Sequence, residues 1–146
     1  KIIDIETGNV LGKHDGVAFY TMGQRQGLKI GGITPNQAPF FVCSKDVEKN
    51  ILYVCSGNNN PHLFSSKIKV QDIDWISGID NFNKISRTLD CEVSIRYRLT
   101  PVKCKIILDD KFNIEVIFDI PLRAVSAGQS AVFYKGDEVL GRGTII

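Results

Sequence analysis

The chain has 146 residues, of which 43% are hydrophobic and 23% charged, and its formal net charge is +2. These values are typical of a soluble globular protein, and the length suits one domain or two small ones. No apolar run approaches the roughly 18 residues that a membrane-spanning helix needs, and we expect no signal peptide. The net charge is too small to indicate a polyanionic partner, so local clusters of Lys and Arg must carry that argument.

The first thirty residues have the pattern of β structure and turns. Apolar segments at 2–5 and 9–11 flank a Glu-Thr-Gly turn, which predicts a hairpin. Segment 17–21 suits a strand or the approach to one, and 23–28 suits a glycine-bounded turn or one short helix. Because the chain begins at Lys1 inside a β-like segment and without an initiator Met, we expect it to be a piece of a longer protein.

Two strands and two loops complete a first domain. Gly and Pro make 30–39 a loop, and strands are predicted at 40–44 and 51–55. Segment 56–61, which reads Ser-Gly-Asn-Asn-Asn-Pro, is the strongest loop signal in the chain. We therefore place the boundary between two small domains, 1–61 and 62–146, at this loop.

The rest of the chain is a series of short strands. A strand-like segment at 65–75 and a polar loop at 78–84 precede five further strands, near 90–98, 102–108, 112–119, 130–134 and 138–146. Short strands at spacings of about 8 to 12 residues indicate a small barrel or sandwich. The fold class is therefore mainly all-β, and Gly141 and Gly143 suggest that the closing strand bends.

The cysteines and His14 offer little evidence of catalysis. Cys43, Cys55, Cys91 and Cys104 lie in apolar segments, and none belongs to a Cys-x-x-Cys pair or a set with zinc-ligand spacing. We expect reduced, buried strand cysteines of a cytosolic protein, with a disulfide or a catalytic thiol as the alternative. Because no Ser or Cys sits in an elbow-like turn, His14 is expected to be a hydrogen-bonding residue.

Segment 91–108 predicts a hairpin with one basic face. Alternation places Cys91, Val93, Ile95 and Tyr97 on the core face and Glu92, Ser94, Arg96 and Arg98 on the other. A four-residue loop at 99–102 would pair Arg98 with Lys103 and Arg96 with Lys105. Like charges across a ladder destabilise a sheet, whereas they suit phosphate oxygens, so we predict phosphate contacts. The alternative is a solvated edge screened by Glu92 and Glu115.

A turn at 126–130 is a second candidate for a binding surface. Gly128 allows a tight turn, and Gln129 beside it offers a donor and an acceptor to a base edge or a ribose hydroxyl. The alternative role of Gln129 is to satisfy neighbouring backbone groups. In the polar segment 20–28, Arg25 suits a carboxylate, a phosphate or the interface with a neighbouring domain.

Several motifs, in order, resemble the tRNA 2-thiouridylase family over essentially the whole chain. They are G-N-V-L-G-K-H-D-G, Y-T-M-G-Q-R-Q-G-L, F-F-V-C-S-K-D-V-E-K-N-I-L-Y-V, I-R-Y-R, A-V-S-A-G-Q-S-A-V-F-Y and G-R-G-T-I-I. Each is weak alone, but their order and spacing are specific. The resemblance implies a small central β domain at 1–61 and a carboxy-terminal six-stranded β-barrel, similar to translation-factor barrels, at 62–146.

The resemblance also implies a reaction. Enzymes of this family thiolate carbon 2 of the wobble uridine, position 34, of tRNAs for Lys, Glu and Gln. They use ATP with Mg and a cysteine persulfide in an amino-terminal domain, whose S-G-G-x-D-S phosphate loop and paired cysteines are absent from this sequence. We therefore expect no cofactor, metal or catalytic residue in this chain and no activity of the chain alone. A sulfur-relay donor protein is the further expected partner of the full enzyme, in the cytoplasm.

Site residues follow from the resemblance residue by residue. It implies tRNA contacts at Arg96 and Tyr97 of I-R-Y-R and at Gln129 of A-G-Q-S. Alternation assigns Tyr97 to the core instead, so its role stays open. Further candidates are Arg98, Lys103 and Lys105 for phosphate, and His14, Gln24 and Arg25 for tRNA or a neighbouring domain. Arg142 departs from the family, which often has a small residue there.

An alternative function is a non-enzymatic β-barrel module that docks proteins, because barrels of this kind host many functions. The two functions differ in their dependence on salt. Phosphate contacts make affinity fall with salt by a slope of roughly 0.7 to 0.9 per neutralised phosphate, whereas an apolar protein interface responds weakly.

Overall fold

The computed structural model describes residues 1–30, 34–77, 81–96 and 100–146. They form two compact units, Lys1–Phe64 and Ser65–Ile146. Within the described ranges the regular structure is β, apart from two short 3-10 helices at Val17–Phe19 and Pro61–Leu63, which confirms the all-β prediction. In those same ranges no helix has both the length and the apolar character that crossing a membrane requires.

The first unit is built on a four-stranded sheet. Its strands are β1 (Ile2–Asp4), β2 (Val10–Gly12), β3 (Phe40–Asp46) and β4 (Ile51–Ser56), in the spatial order β2-β1-β4-β3. The predicted hairpin at the start of the chain is confirmed as the antiparallel pair of β1 and β2. Segment 17–21 contains a 3-10 helix rather than a strand.

Both faces of this sheet are buried, and the sequence of β3 shows why. Phe40 and Val42 pack into one apolar cluster, whereas Phe41 and Cys43 pack into another. Successive side chains of a strand point to opposite faces, so an uninterrupted apolar run fits a strand that is covered on both sides. The buried carboxylate of Asp4 closes the β1–β2 turn, because it accepts hydrogen bonds from Glu6 N at 3.0 Å and Thr7 Oγ1 at 2.8 Å.

The second unit is a closed six-stranded barrel. Its strands are β5 (Phe64–Trp75), β6 (Thr88–Ser94), β7 (Val102–Leu108), β8 (Ile114–Arg123), β9 (Ser130–Lys135) and β10 (Glu138–Ile145). They follow each other around the barrel in the order β10-β5-β8-β7-β6-β9. Closure leaves no free strand edge, and it confirms the six-stranded barrel that the family resemblance implied.

The barrel interior is filled by alternate residues of its strands. The side chains with no exposed surface include Val70, Ile106, Val116, Phe133 and Leu140. The closing strand β10 approaches β5 at two glycines: a Cβ at Gly141 would lie 2.8 Å from Asp74 O, and one at Gly143 would lie 2.8 Å from Gln71 O. The glycines therefore permit a close backbone approach where the barrel closes.

The four cysteines are free thiols and all are buried, as the sequence analysis predicted. Cys91 and Cys104 lie directly opposite each other on β6 and β7, with their sulfurs 3.8 Å apart. The contact with Cys91 and then burial raise the pKa of Cys104. Burial and, next, the neighbouring Cys55 raise the pKa of Cys43 to about 12.

We expect Cys43 in the native chain to react slowly with iodoacetamide, because the thiolate is the nucleophile. With a pKa of about 12, the reaction rate should rise about tenfold per pH unit from pH 8 to pH 11, whereas a thiol of ordinary pKa levels off above roughly 8.5. Alkylation followed by peptide mass spectrometry measures the rate at Cys43 alone, with the urea-unfolded chain as the control. A native rate that levels off near pH 9 would contradict the raised pKa.

Candidate nucleic-acid interface

The register of the β6–β7 hairpin differs from the predicted one. Lys103 lies opposite Glu92 rather than Arg98, and Lys105 lies opposite Asp90 rather than Arg96. Strand β6 ends at Ser94, so the connection to β7 is longer than the predicted four residues. The displacement is an even number of residues, and each side chain therefore keeps its predicted face. This is why Cys91, Val93, Cys104 and Ile106 are buried as expected.

The corrected register removes the basic face. Lys103 and Lys105 each face a carboxylate across the ladder, so opposite charges stabilise the pair of strands where like charges were predicted to repel. Asp90, Glu92, Lys103, Asp119 and Lys135 line one shallow depression over these strands. A surface of mixed sign attracts phosphate weakly, so the register does not support phosphate contacts from Lys103 and Lys105, and these contacts stay a prediction. Tyr97 and Arg98 lie outside the described residues.

Arg96 lies beyond the end of β6, where its guanidinium is half-buried. Its Nη2 donates a hydrogen bond to the carbonyl oxygen of Ala124, and its own carbonyl accepts from Ser94 Oγ at 3.0 Å. Ala124 is buried and has a positive φ of 56°, which turns the chain after β8. A guanidinium has five N–H donors, so the bond to Ala124 anchors Arg96 and leaves donors for a ligand.

Gln129 forms part of the turn that leads into β9. Its Oε1 accepts from Ser126 N at 3.1 Å, and its backbone carbonyl accepts from Ile145 N at 2.9 Å. Gly128 supplies the positive φ of 89° that the turn requires. Because a backbone N–H can only donate, the side-chain oxygen must face Ser126, and the amide NH₂ is the group left for a ligand. Gln129 therefore both satisfies the backbone and presents donors.

The barrel brings Arg96 and Gln129 to one groove of about 620 Å³. They come from the end of β6 and the start of β9, which are neighbours around the barrel. The groove is lined by Ser94, Ile95, Arg96, Gln129, Ser130, Val132 and Tyr134. Among the described residues, this lining contains hydroxyls, an amide and a guanidinium but no carboxylate. Such a set suits a polyanion with sugar hydroxyls, because cationic and neutral donors position phosphates and bond riboses.

Ser94, Ser130 and Tyr134 were not singled out in the sequence. Alternation places all three on the outer face of β6 and β9, so the pattern predicts exposure but not proximity. The antiparallel register sets Ser94 opposite Val132, and Glu92 opposite Tyr134. A single polar residue on a strand does not reveal a binding site, and only the pairing of β6 with β9 brings these side chains together.

His14 has a structural role in the first unit, which confirms the prediction that it is a hydrogen-bonding residue. Its Nδ1 accepts from Gly16 N at 3.0 Å, so Nε2 carries the proton and donates to Asn50 O at 3.0 Å. Asn50 in turn accepts at its side-chain oxygen from Val17 N at 3.3 Å. These bonds hold the loop before the first 3-10 helix against the β3–β4 turn.

Gln24 and Arg25 differ in how much they contribute to the first unit. Gln24 Oε1 accepts from Thr21 N at 3.0 Å and Nε2 donates to Gln26 O at 2.8 Å, so Gln24 holds its own loop together. Arg25 is exposed and lines a pocket of about 400 Å³ with Leu28 and Phe40 among others. For both residues and for His14, a contact with tRNA or a neighbouring domain stays a prediction.

Two family models match the chain. One is described as a tRNA methyl transferase PRC-barrel domain and matches residues 1–56. The other is described as an aminomethyltransferase beta-barrel domain and matches residues 65–145. The second match covers all six barrel strands except the first residue of β5, and more than half of the chain.

Curated relatives from several bacteria carry the name tRNA-specific 2-thiouridylase MnmA. The relative from Mycoplasma capricolum is 42% identical over 99% of this chain. The relatives from Buchnera aphidicola and Shewanella denitrificans are 44% and 45% identical over 95% and 97% of it. The chain spans only 37–38% of the length of these three relatives. The two matched models and these identities together show that the chain belongs to the tRNA-specific 2-thiouridylase family.

Proposed function

We propose that this chain is the tRNA-gripping part of a 2-thiouridylase and that the Arg96–Gln129 groove contacts the RNA. The observation that carries the proposal is the composition of the groove, in which the described lining residues bring a guanidinium, a side-chain amide and hydroxyls together without a carboxylate. The relatives' name, tRNA-specific 2-thiouridylase, favours tRNA over other polyanions. The groove positions RNA through backbone and sugar contacts, which do not require sequence-specific hydrogen bonding.

At the level of the full enzyme, we propose thiolation of carbon 2 of the wobble uridine. The described residues do not fit the ATP–Mg group that the family implies, because they include no cluster of three or more His, Cys, Asp or Glu side chains that could hold a metal. A sulfur-carrying cysteine must be accessible and readily ionised, whereas all four cysteines are buried. We therefore assign no step of the reaction to this chain and propose that it is inactive alone.

The proposed partners follow from the same reaction. The RNA is a tRNA of the Lys, Glu or Gln type, and a sulfur-relay protein supplies sulfur to the full enzyme. We propose the cytoplasm as the place of action, since tRNA and free thiols coexist there. The task that we propose for the chain in this scheme is to hold the tRNA at the groove.

The proposal is tested by titrating the chain with an unmodified tRNA of the Lys type at several salt concentrations. We expect binding that weakens as salt increases. Arg96→Gln should raise Kd roughly 10- to 150-fold, because a charge-assisted hydrogen bond contributes roughly 1.5 to 3 kcal/mol. Gln129→Glu should weaken binding to a similar degree, because it keeps the oxygen that closes the turn with Ser126 while replacing the donor with a negative charge.

Lys111→Gln is the matched control for loss of one positive charge. Lys111 lies in the exposed turn between β7 and β8, on the other side of the barrel from β9 and β10, so Kd should barely change. If tRNA binds and neither Arg96→Gln nor Gln129→Glu weakens it, the groove is not the RNA site. If the chain does not bind tRNA at low salt, or if its affinity for tRNA does not change with salt, a protein-docking module would be favoured instead.

A further inference from the structure

The outer face of β10 carries an arginine, Arg142, that lies opposite Asp74 of β5 and has no part in the proposed groove. Arg142 is exposed, and in the described part of the chain no carboxylate lies within ion-pair distance of it. Arg87, by contrast, pairs with Asp110 at 2.6 Å, and Arg96 is anchored on Ala124. The guanidinium of Arg142 therefore has all its N–H donors available for a ligand.

The strand registers place Arg142 beside the groove. Arg142 lies opposite Val132 of β9, and Val132 lies opposite Ser94 of β6. Val132 and Ser94 both line the groove. Because neighbouring strands are about 4.8 Å apart, the Cα atoms of Arg142 and Ser94 are separated by roughly 10 Å, a distance that the long arginine side chain partly spans. Arg142 thus stands at the rim of the groove, across β9 from Arg96.

The backbone beneath Arg142 is held closely. Gly141 and Gly143 on either side approach the backbone of β5 so nearly that a Cβ would lie 2.8 Å from a carbonyl oxygen in each case. The strand therefore presents Arg142 from a fixed position. An exposed arginine contributes little to stability through ion pairing, and its planar fork suits bidentate binding of phosphate.

We propose that Arg142 is a second phosphate contact, which extends the RNA surface from the groove across β9 and β10. The inference rests on the proposed function, since the ligand is a phosphodiester of the same RNA strand that enters the groove. Asp74 is the cross-strand partner of Arg142 on β5. Its negative charge opposes the approach of phosphate, so Asp74 lowers the affinity that Arg142 provides.

Because Arg142 attracts phosphate and Asp74 repels it, replacing the one or the other should change the affinity for tRNA in opposite directions. Arg142→Gln should raise Kd for unmodified tRNA about fivefold and reduce the slope of log Kd against log salt by about one, as expected for loss of one phosphate contact. Asp74→Asn should lower Kd a fewfold. Neither change should alter the melting temperature, because both side chains are exposed. The same titration with Lys111→Gln should show a much smaller change than Arg142→Gln.

The outcomes separate this inference from the function on which it rests. If Arg96→Gln weakens tRNA binding and Arg142→Gln does not, Arg142 is not a phosphate contact, but the groove is still supported as the RNA site. If Lys111→Gln weakens tRNA binding as much as Arg142→Gln does, the effect comes from net charge, and Arg142 is not a specific phosphate contact. If the chain binds no tRNA, or binds it regardless of changes at Arg96 and Gln129, the proposed function fails first.

Discussion

Phe133→Ala is expected to lower the free energy of unfolding of the barrel by about 3 to 5 kcal/mol. Phe133 has no exposed surface, and its ring packs against that of Trp75 with a centroid distance of 6.3 Å. Removing it leaves a cavity that neighbouring strands of a closed barrel cannot easily fill. Because small domains are stable by only about 5 to 15 kcal/mol, this loss is a large part of the total.

Urea unfolding followed by tryptophan fluorescence measures this loss. Trp75 is the one tryptophan of the sequence and lies in the barrel unit, so the signal reports that unit alone. Phe112→Ala is the matched control, because Phe112 is 62% exposed in the β7–β8 turn and its removal should cost little. Equal midpoints for Phe133→Ala and the parent chain would show that Phe133 does not support the core.

Gly143→Ala should destabilise the barrel by about 1 to 3 kcal/mol through steric overlap. A Cβ there would lie 2.6 Å from Val70 Cγ1 and 2.9 Å from Ile73 Cγ1, in addition to the Gln71 carbonyl oxygen at 2.8 Å. The φ of Gly143 is not positive, so an alanine suffers no backbone strain and the cost comes from the approach of β5. The substitution should therefore weaken the seam that closes the barrel.

Gly136→Ala provides the contrast for this second substitution. Gly136 has a φ of 60° in the β9–β10 turn, and a Cβ there would meet no atom within 4 Å. Gly136→Ala should lower the free energy of unfolding by about 1 kcal/mol, because alanine is strained at a positive φ. Fluorescence-detected unfolding should thus rank Gly143→Ala as the less stable variant. The reverse order would mean that β5 can move away from β10 without penalty.

Barrel closure also matters for the interpretation of binding data. Strand β10 pairs with β9 on one side and β5 on the other, and β9 forms the floor of the groove together with β6. A variant that opens the β10–β5 seam would displace Arg142 and disturb Ser130 through the same strands. Loss of tRNA binding is therefore evidence for a contact residue only when the unfolding midpoint is unchanged.

The basic hairpin shows how far a strand pattern can be read. Alternation in 91–108 identified the buried side chains correctly, because a strand has a period of two residues whatever its partner is. The same alternation is compatible with every register that differs by an even number of residues, so it did not decide that Lys103 faces Glu92. The length of the connection decided the register, because β6 ends at Ser94 and the connection to β7 is longer than the four-residue loop predicted at 99–102.

The groove is the opposite case. The family resemblance predicted that Arg96 and Gln129 contact tRNA, whereas only the fold shows how their side chains are held. Nothing in the local sequence of Gln129 reveals that Ser126 N occupies its side-chain oxygen, nor does I-R-Y-R reveal the bond from Arg96 to Ala124. The bond of Gln129 closes a local turn with a residue three positions before it. The bond of Arg96 joins residues 28 positions apart, and their proximity depends on how the turn after β8 packs against the end of β6.

The sequence by itself determined the all-β class, the buried face of each strand, the free buried cysteines and the family. These properties follow from local periodicity and from motifs that are contiguous in the chain. The tertiary structure alone decided which charges lie opposite each other across strands, which donors of Arg96 and Gln129 remain available, and that Arg142 stands at the rim of their groove. The reason is that barrel pairing joins residues far apart in the chain, and strand register, which alternation leaves open, sets their distances.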